Sequence, residues 1–110
     1  MANKRQIKKA IRNACGDMAG ECIFAQDFFG EGKEEQWDQI IVNVALLQES
    51  ALERVDVKFD RAPGSFASGS EYRKARRAFN RQVMKALKEY MHSETEKIVA
   101  SMNELMPKKS

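Results

Sequence analysis

The amino-acid sequence predicts an all-α fold, an antiparallel bundle of three long helices in which the third is bent or split into a short fourth. Two observations predict it. Glycines in FFGEGKEE, and glycines with Pro63 in DRAPGSFASGSE, separate three long segments, of which only the first contains a glycine, at Gly16 and Gly20. Within the long segments, apolar residues recur every three or four positions, as on one face of a helix. A length of 110 residues suits a single domain, residues 1–110.

The first helix is predicted over about residues 3–29. Its apolar or small residues follow a spacing of four and three from position 11 onward: Ile11, Cys15, Met18, Cys22, Ala25 and Phe29. Cys15 and Cys22 are two turns apart, about 10.5 Å, whereas a disulfide needs Cα atoms within about 7 Å. Their spacing is not the C-x2-C of zinc sites either. Both cysteines are therefore expected in the core, as small hydrophobic residues.

The apolar residues from Ile11 to Phe29 are here called the seam of the first helix, and two pairs of residues lie beside it. Gly16 and Gly20 each destabilise a helix interior by up to about 1 kcal/mol. This cost suggests that the missing side chains allow another backbone to come close, near Trp37 or a neighbouring helix, which we expect in preference to a ligand groove. Asp17 and Glu21 are expected on a solvated or salt-bridged face.

The second helix is predicted over about residues 34–60. Its seam consists of Trp37, Ile40, Val44, Leu47, Ala51 and Val55. The stretch RVDVKFD, which includes residues 54–60, also alternates in the manner of a strand. Because a lone strand has no pairing partner in this chain, helix is favoured there.

The third helix is predicted over about residues 70–106, after a capping box formed by Ser68 and Glu71. Its apolar residues form a first stripe along the N-terminal part of the helix. From near His92 and Ser93 onward they form a second stripe, displaced around the helix by roughly a quarter turn. The helix therefore either continues through this point or bends there and folds back. A lysine- and arginine-rich face lies opposite the first stripe: Arg73, Lys74, Arg76, Arg77, Arg81, Lys85 and Lys88. Solvation of this face is the simplest interpretation; an acidic protein or nucleic-acid phosphates are the alternative partners.

A continuous third helix is expected to overhang the other two by roughly 15 Å at its C-terminal end. That end carries an apolar patch: Ile98, Val99, Met102, Leu105 and Met106. Since burying each of these side chains is worth about 1.5–3 kcal/mol, the patch predicts a two-fold homodimer in preference to a fold-back.

Charge and composition exclude several classes of protein. No apolar run approaches the roughly 20 residues that span a bilayer, and no signal-peptide core follows the basic start, so no membrane association and a cytoplasmic location are expected. The chain alternates basic, acidic and basic, a pattern expected to draw three helices together. With one histidine, no phosphate-binding loop and no metal-ligand spacing, no enzyme, metal or cofactor is predicted.

The stretches NKRQIKKAIRNACGDMAGECIFA, RVDVKFDRAPGSFA and YRKARRAFNRQV resemble a group of small all-α proteins from Bacteroidetes-type bacteria. The resemblance implies a cytosolic helical protein and carries over no catalytic residue. Together these features predict a non-enzymatic protein that acts through protein contacts, most simply self-association. Nucleic-acid binding through the basic face is the alternative.

Overall fold

The computed structural model describes residues 3–107, and within this range it contains three helices and no strand. Helix α1 spans Lys4–Phe29, α2 spans Glu34–Val55 and α3 spans Gly69–Leu105. A single 3₁₀ turn, Pro63–Ser65, lies between α2 and α3. The all-α class and the three helical segments predicted from the sequence are confirmed.

Local hydrogen bonds explain where α1 and α3 begin. The side chain of Asn3 accepts the Gln6 N–H at 2.8 Å, while the Gln6 side chain accepts the Asn3 N–H at 3.1 Å, which forms a capping box. At the start of α3, the Ser68 hydroxyl accepts the Glu71 N–H at 3.2 Å. These bonds satisfy N–H groups that a helix end leaves unpaired.

Helix α2 lies between the other two and packs against both. The buried core contains five residues of α1, six of α2 and two of α3: Ile11, Cys15, Met18, Cys22, Ala25, Trp37, Ile40, Val44, Leu47, Ala51, Val55, Leu87 and Ile98. The seams predicted for the first two helices are thus confirmed almost residue for residue. The indole of Trp37 is fully buried, and its Nε1 has no hydrogen-bond partner among the described residues.

Two predicted boundaries are wrong. Helix α2 ends at Val55, the last residue of its seam, and residues 57–62 form neither helix nor strand. Helix α3 is not divided near His92 but runs unbroken to Leu105. Leu87, Met91 and Ile98 explain its continuity, because at 100° per residue they lie within about 40° of one another and all pack against the core.

The molecule is elongated, with extents of 65 × 23 × 21 Å and a radius of gyration of 18.9 Å. A compact domain of 100 residues would have a radius near 13 Å. Contacts between the middle of α3 and the last turns of α2 explain the shape: Tyr90 Oη donates to Ser50 Oγ at 2.9 Å, and the Arg54 guanidinium lies 3.8 Å from the centroid of the Tyr90 ring. Since α2 ends soon afterwards while α3 begins at Gly69, α3 extends about 20 Å beyond α2.

Candidate interaction surface

The part of α3 that extends beyond α2 forms, with the preceding loop, a projection made of residues 57–83, here called the arm. Four aromatic rings hold it together. Phe59 and Phe66 of the loop lie against Tyr72 and Phe79 of α3, with centroids 5.4 Å apart for Phe59 and Phe79 and 5.6 Å apart for Phe66 and Tyr72. These rings are only half-buried, so the arm has a small apolar cluster of its own, separate from the core.

The basic face predicted from the sequence lies mostly on this arm and is exposed. All seven of its lysines and arginines are exposed, and none forms an ion pair within residues 3–107. The first five belong to the arm itself. Lys85 and Lys88 continue the face onto the part of α3 that packs against α2, and the packed part of the three helices is here called the body. The acids of α2 therefore do not neutralise this face.

A second basic segment lies at the same end of the molecule. Lys8 Nζ contacts Asp56 Oδ2 at 2.9 Å, which places the start of α1, with five cations and no acid, beside the end of α2. The described residues of this basic end are 3–12 and 49–88; they hold fifteen cations and five acids. Those of the opposite, acidic end are 13–48 and 89–107; they hold two cations and eleven acids. Charge is thus strongly separated along the 65 Å axis.

The alternating charge blocks were expected to attract the helices to one another. In the described chain, only the contact between Lys8 and Asp56 is an ion pair between two helical segments. The hydrogen bond from Lys8 lowers the pKa of the Asp56 carboxyl, against a smaller opposing effect of desolvation. Apolar packing, not charge attraction, therefore holds the helices together, and most charges remain available to a partner.

The apolar patch at the C-terminal end of α3 is covered by its own chain. Ile98 is buried, and Met102, Leu105 and Met106 pack against the core; Val99 alone is exposed, at 43%. Lys33 Nζ also donates to the Leu105 carbonyl at 3.2 Å. The predicted overhang is therefore at the wrong end: the N-terminal half of α3 projects, while its C-terminal half packs on the body.

An apolar groove that the sequence analysis did not identify lies between α1 and the C-terminal end of α3. Its volume is about 650 Å³, and Phe24, Phe29, Met102 and Met106 line it together with Gly16, Gly20, Asp17 and Glu21. Phe24 and Phe28 are 62% and 67% exposed, and their ring centroids are 4.6 Å apart. Their position off the seam of α1, four residues apart, is the sequence signal that could have indicated this surface.

The remaining candidate residues are the two cysteines, the acidic pair and the histidine. Cys15 and Cys22 are free thiols in the core, as expected, and burial raises the pKa of each. Asp17 and Glu21 are exposed. The exposed His92 has its Nε2 2.9 Å from Glu96 Oε1. Among residues 3–107, no group of three or more histidine, cysteine or acidic side chains is placed to hold a metal ion.

Comparison with protein-family models, curated proteins and solved structures finds no significant match to this chain. Within the described range, none of the helices combines the length and the apolar character needed to cross a membrane. The interaction surface must therefore be interpreted from its own geometry and charge.

Proposed function

We propose that this chain is a non-enzymatic, cytosolic helical protein that acts through protein contacts, in the first place with a second copy of itself. The observation that carries the proposal is the separation of charge between the basic and acidic ends. A partner with the opposite arrangement would neutralise both ends at once, and a second copy turned end for end has that arrangement.

An antiparallel order of the helices is part of this proposal. The contact between Lys8 and Asp56 joins the start of α1 to the end of α2, while Gln26 Nε2 donates to Asp38 Oδ1 at 2.9 Å near the other end of both helices. The contact between Lys33 and Leu105 joins the start of α2 to the end of α3. This order places the first turns of α1 and the arm at one end.

The test is the mass of the protein in solution, measured by light scattering at about 0.1 M and about 1 M salt, where the Debye length is about 10 Å and about 3 Å. At low salt we expect twice the chain mass of 12.5 kDa, with dissociation as salt rises. A mass of one chain at high protein concentration and low salt would refute self-association.

Nucleic-acid binding is a second candidate function, favoured by the convergence of two basic segments at one end. The basic face offers seven exposed cations over about four turns of α3, and each phosphate contact made by such a helix adds to the salt dependence of binding. A gel-shift assay with DNA and RNA at two salt concentrations tests it. A triple Arg77→Gln, Arg81→Gln, Lys85→Gln variant should lose any retardation. Absence of retardation by the wild type at low salt would exclude this function.

A further inference from the structure

We propose that the groove between α1 and the C-terminal end of α3 receives the basic arm of a second copy, reciprocally, in a two-fold dimer. This inference rests on the proposed self-association and assigns its contact surface. Five observations support it: an exposed apolar wall, an open glycine floor, opposite charges on the two surfaces, a match in their lengths, and a common side of α3 from which both are presented.

The apolar wall of the groove contains Phe24, Phe29 and Met106, and Phe28 stacks on Phe24 beside it. Phe24 and Phe28 are both more than three-fifths exposed. Burial of a phenylalanine side chain is strongly favourable, so much of this free energy is not realised in a single chain. These exposed rings beside an apolar groove therefore favour contact with another molecule.

The glycine floor is empty. A Cβ atom added to Gly16 or Gly20 would meet nothing within 4 Å, so the neighbouring backbone expected from the sequence does not lie there. Each glycine nevertheless destabilises the middle of α1 relative to alanine. A helix from another chain can approach α1 closely at these two positions, because no side chain stands in its way.

Charge identifies the occupant. Asp17 and Glu21 lie along the groove, in the acidic end of the molecule. The stretch of α3 that would enter, residues 69–83, holds five cations and one acid. Arginine side chains also suit the exposed rings, since a guanidinium is attracted to the face of an aromatic ring. A nucleic acid would instead be repelled from the acidic groove.

The two surfaces also match in length. The part of α1 that lines the groove, Gly16 to Phe29, is about 20 Å long. The helical part of the arm, Gly69 to Val83, is about 21 Å long. One arm can therefore cover the groove from end to end.

Symmetry follows from the position of both surfaces on α3. At 100° per residue, Arg77 and Arg81 lie within about 60° of Met102 and Met106 around the helix axis. The basic face and the groove therefore open towards the same side of the molecule. A two-fold axis perpendicular to the long axis then places each arm on the groove of the other copy, so the assembly closes as a dimer instead of growing as a fibre.

Charge exchange tests this arrangement. One variant carries Arg77→Glu and Arg81→Glu in the arm, and the other carries Asp17→Lys and Glu21→Lys in the groove. Each variant alone should be monomeric by light scattering, while a mixture of the two should form a dimer, because both reciprocal contacts are then again between opposite charges. Circular dichroism checks that each variant retains the helix content of the wild type. A wild-type dimer whose variants dimerise unchanged, or whose mixture fails to associate, would overturn the assigned surface while leaving self-association intact.

A second test uses bulk without charge. Gly20→Gln fits the single chain, because nothing lies within 4 Å of its Cβ position, but it fills the groove. We expect at least about a tenfold rise in the dimer dissociation constant, equivalent to about 1.4 kcal/mol. Ala45→Gln, at an exposed position of α2 away from the groove, is the matched control and should leave the constant unchanged. Equal constants for both variants would contradict the proposal, whereas a monomeric wild type would refute the underlying self-association instead.

Discussion

The neighbouring residues Ile98 and Val99 allow a direct test of how α3 is attached to the body. Ile98 is 7% exposed and belongs to the core, whereas Val99 is 43% exposed. Truncating Ile98 to alanine removes buried methyl groups and leaves a cavity, which typically costs about 2–5 kcal/mol. Truncating Val99 should cost less than about 1 kcal/mol, because much of its side chain already contacts water.

The loss of stability expected for Ile98→Ala is large because few side chains of α3 are buried against the other helices. Of its 37 residues only Leu87 and Ile98 are fully buried, with half-buried side chains such as Met91 around them. Domains of this size have a free energy of unfolding of about 5–15 kcal/mol, so losing 3 kcal/mol at Ile98 removes a large fraction. At about 4 °C per kcal/mol, Tm should fall by about 12 °C for Ile98→Ala.

Urea unfolding, followed by the fluorescence of Trp37 and by far-UV circular dichroism, measures both variants. The single tryptophan lies in the core and reports on its exposure. Mass should be the same for wild type, Ile98→Ala and Val99→Ala, measured under conditions where each is folded, since neither residue belongs to the proposed dimer surface. A cost below about 1 kcal/mol for Ile98→Ala, or a change in mass for Val99→Ala, would show that the C-terminal half of α3 is not packed as described.

Further predictions concern the thiols, the ion pair and a glycine. Cys15 and Cys22 should react slowly with a thiol reagent until the protein is denatured. Burial raises the pKa of both thiols above 9.0, so they ionise more readily in the unfolded chain, and the free energy of unfolding should fall as the pH rises beyond that value. Because the pKa of Asp56 is lowered, its carboxylate stabilises the fold at pH values above its usual pKa of 3.8, and this stability is lost as the pH falls further. Lys8→Gln should weaken this pH dependence in acid titrations followed by circular dichroism. Gly16→Ala should raise the free energy of unfolding by about 0.5–1 kcal/mol in urea, because its added methyl group meets no atom.

The sequence predicted the parts of the fold that depend on local periodicity. The seams of α1 and α2 could be recognised because the buried residues, from Ile11 to Ala25 and from Trp37 to Val55, repeat at helical spacing along their whole length. Which half of α3 packs on the body could not be recognised in this way. Both halves carry an apolar stripe, and the choice between them depends on where the partner helix α2 ends.

The interaction surface was predictable only in part, for the same reason. The basic face of α3 is continuous in the sequence, whereas the groove joins residues about 80 positions apart, such as Phe24 and Met106. Tertiary packing alone brings the basic start of α1 to the same end as the arm. Periodicity identifies what each helix presents, but it does not identify which surfaces meet.

The spacing of positive charges on the arm favours a partner of opposite charge. Arg73, Arg77 and Arg81 follow one another at intervals of four, and like charges at this spacing destabilise a helix by about 0.2–0.5 kcal/mol per pair. No intramolecular acid relieves this repulsion among the described residues, and only the half-buried aromatic cluster supports the helix there. An acidic partner would convert each repulsive pair into charge-assisted contacts and stabilise the arm at the same time. The helical arm should therefore be the least stable part of α3 in the monomer, and protection of its amides from hydrogen exchange should rise on dimerisation. Equal protection in monomer and dimer would contradict this explanation of its charge.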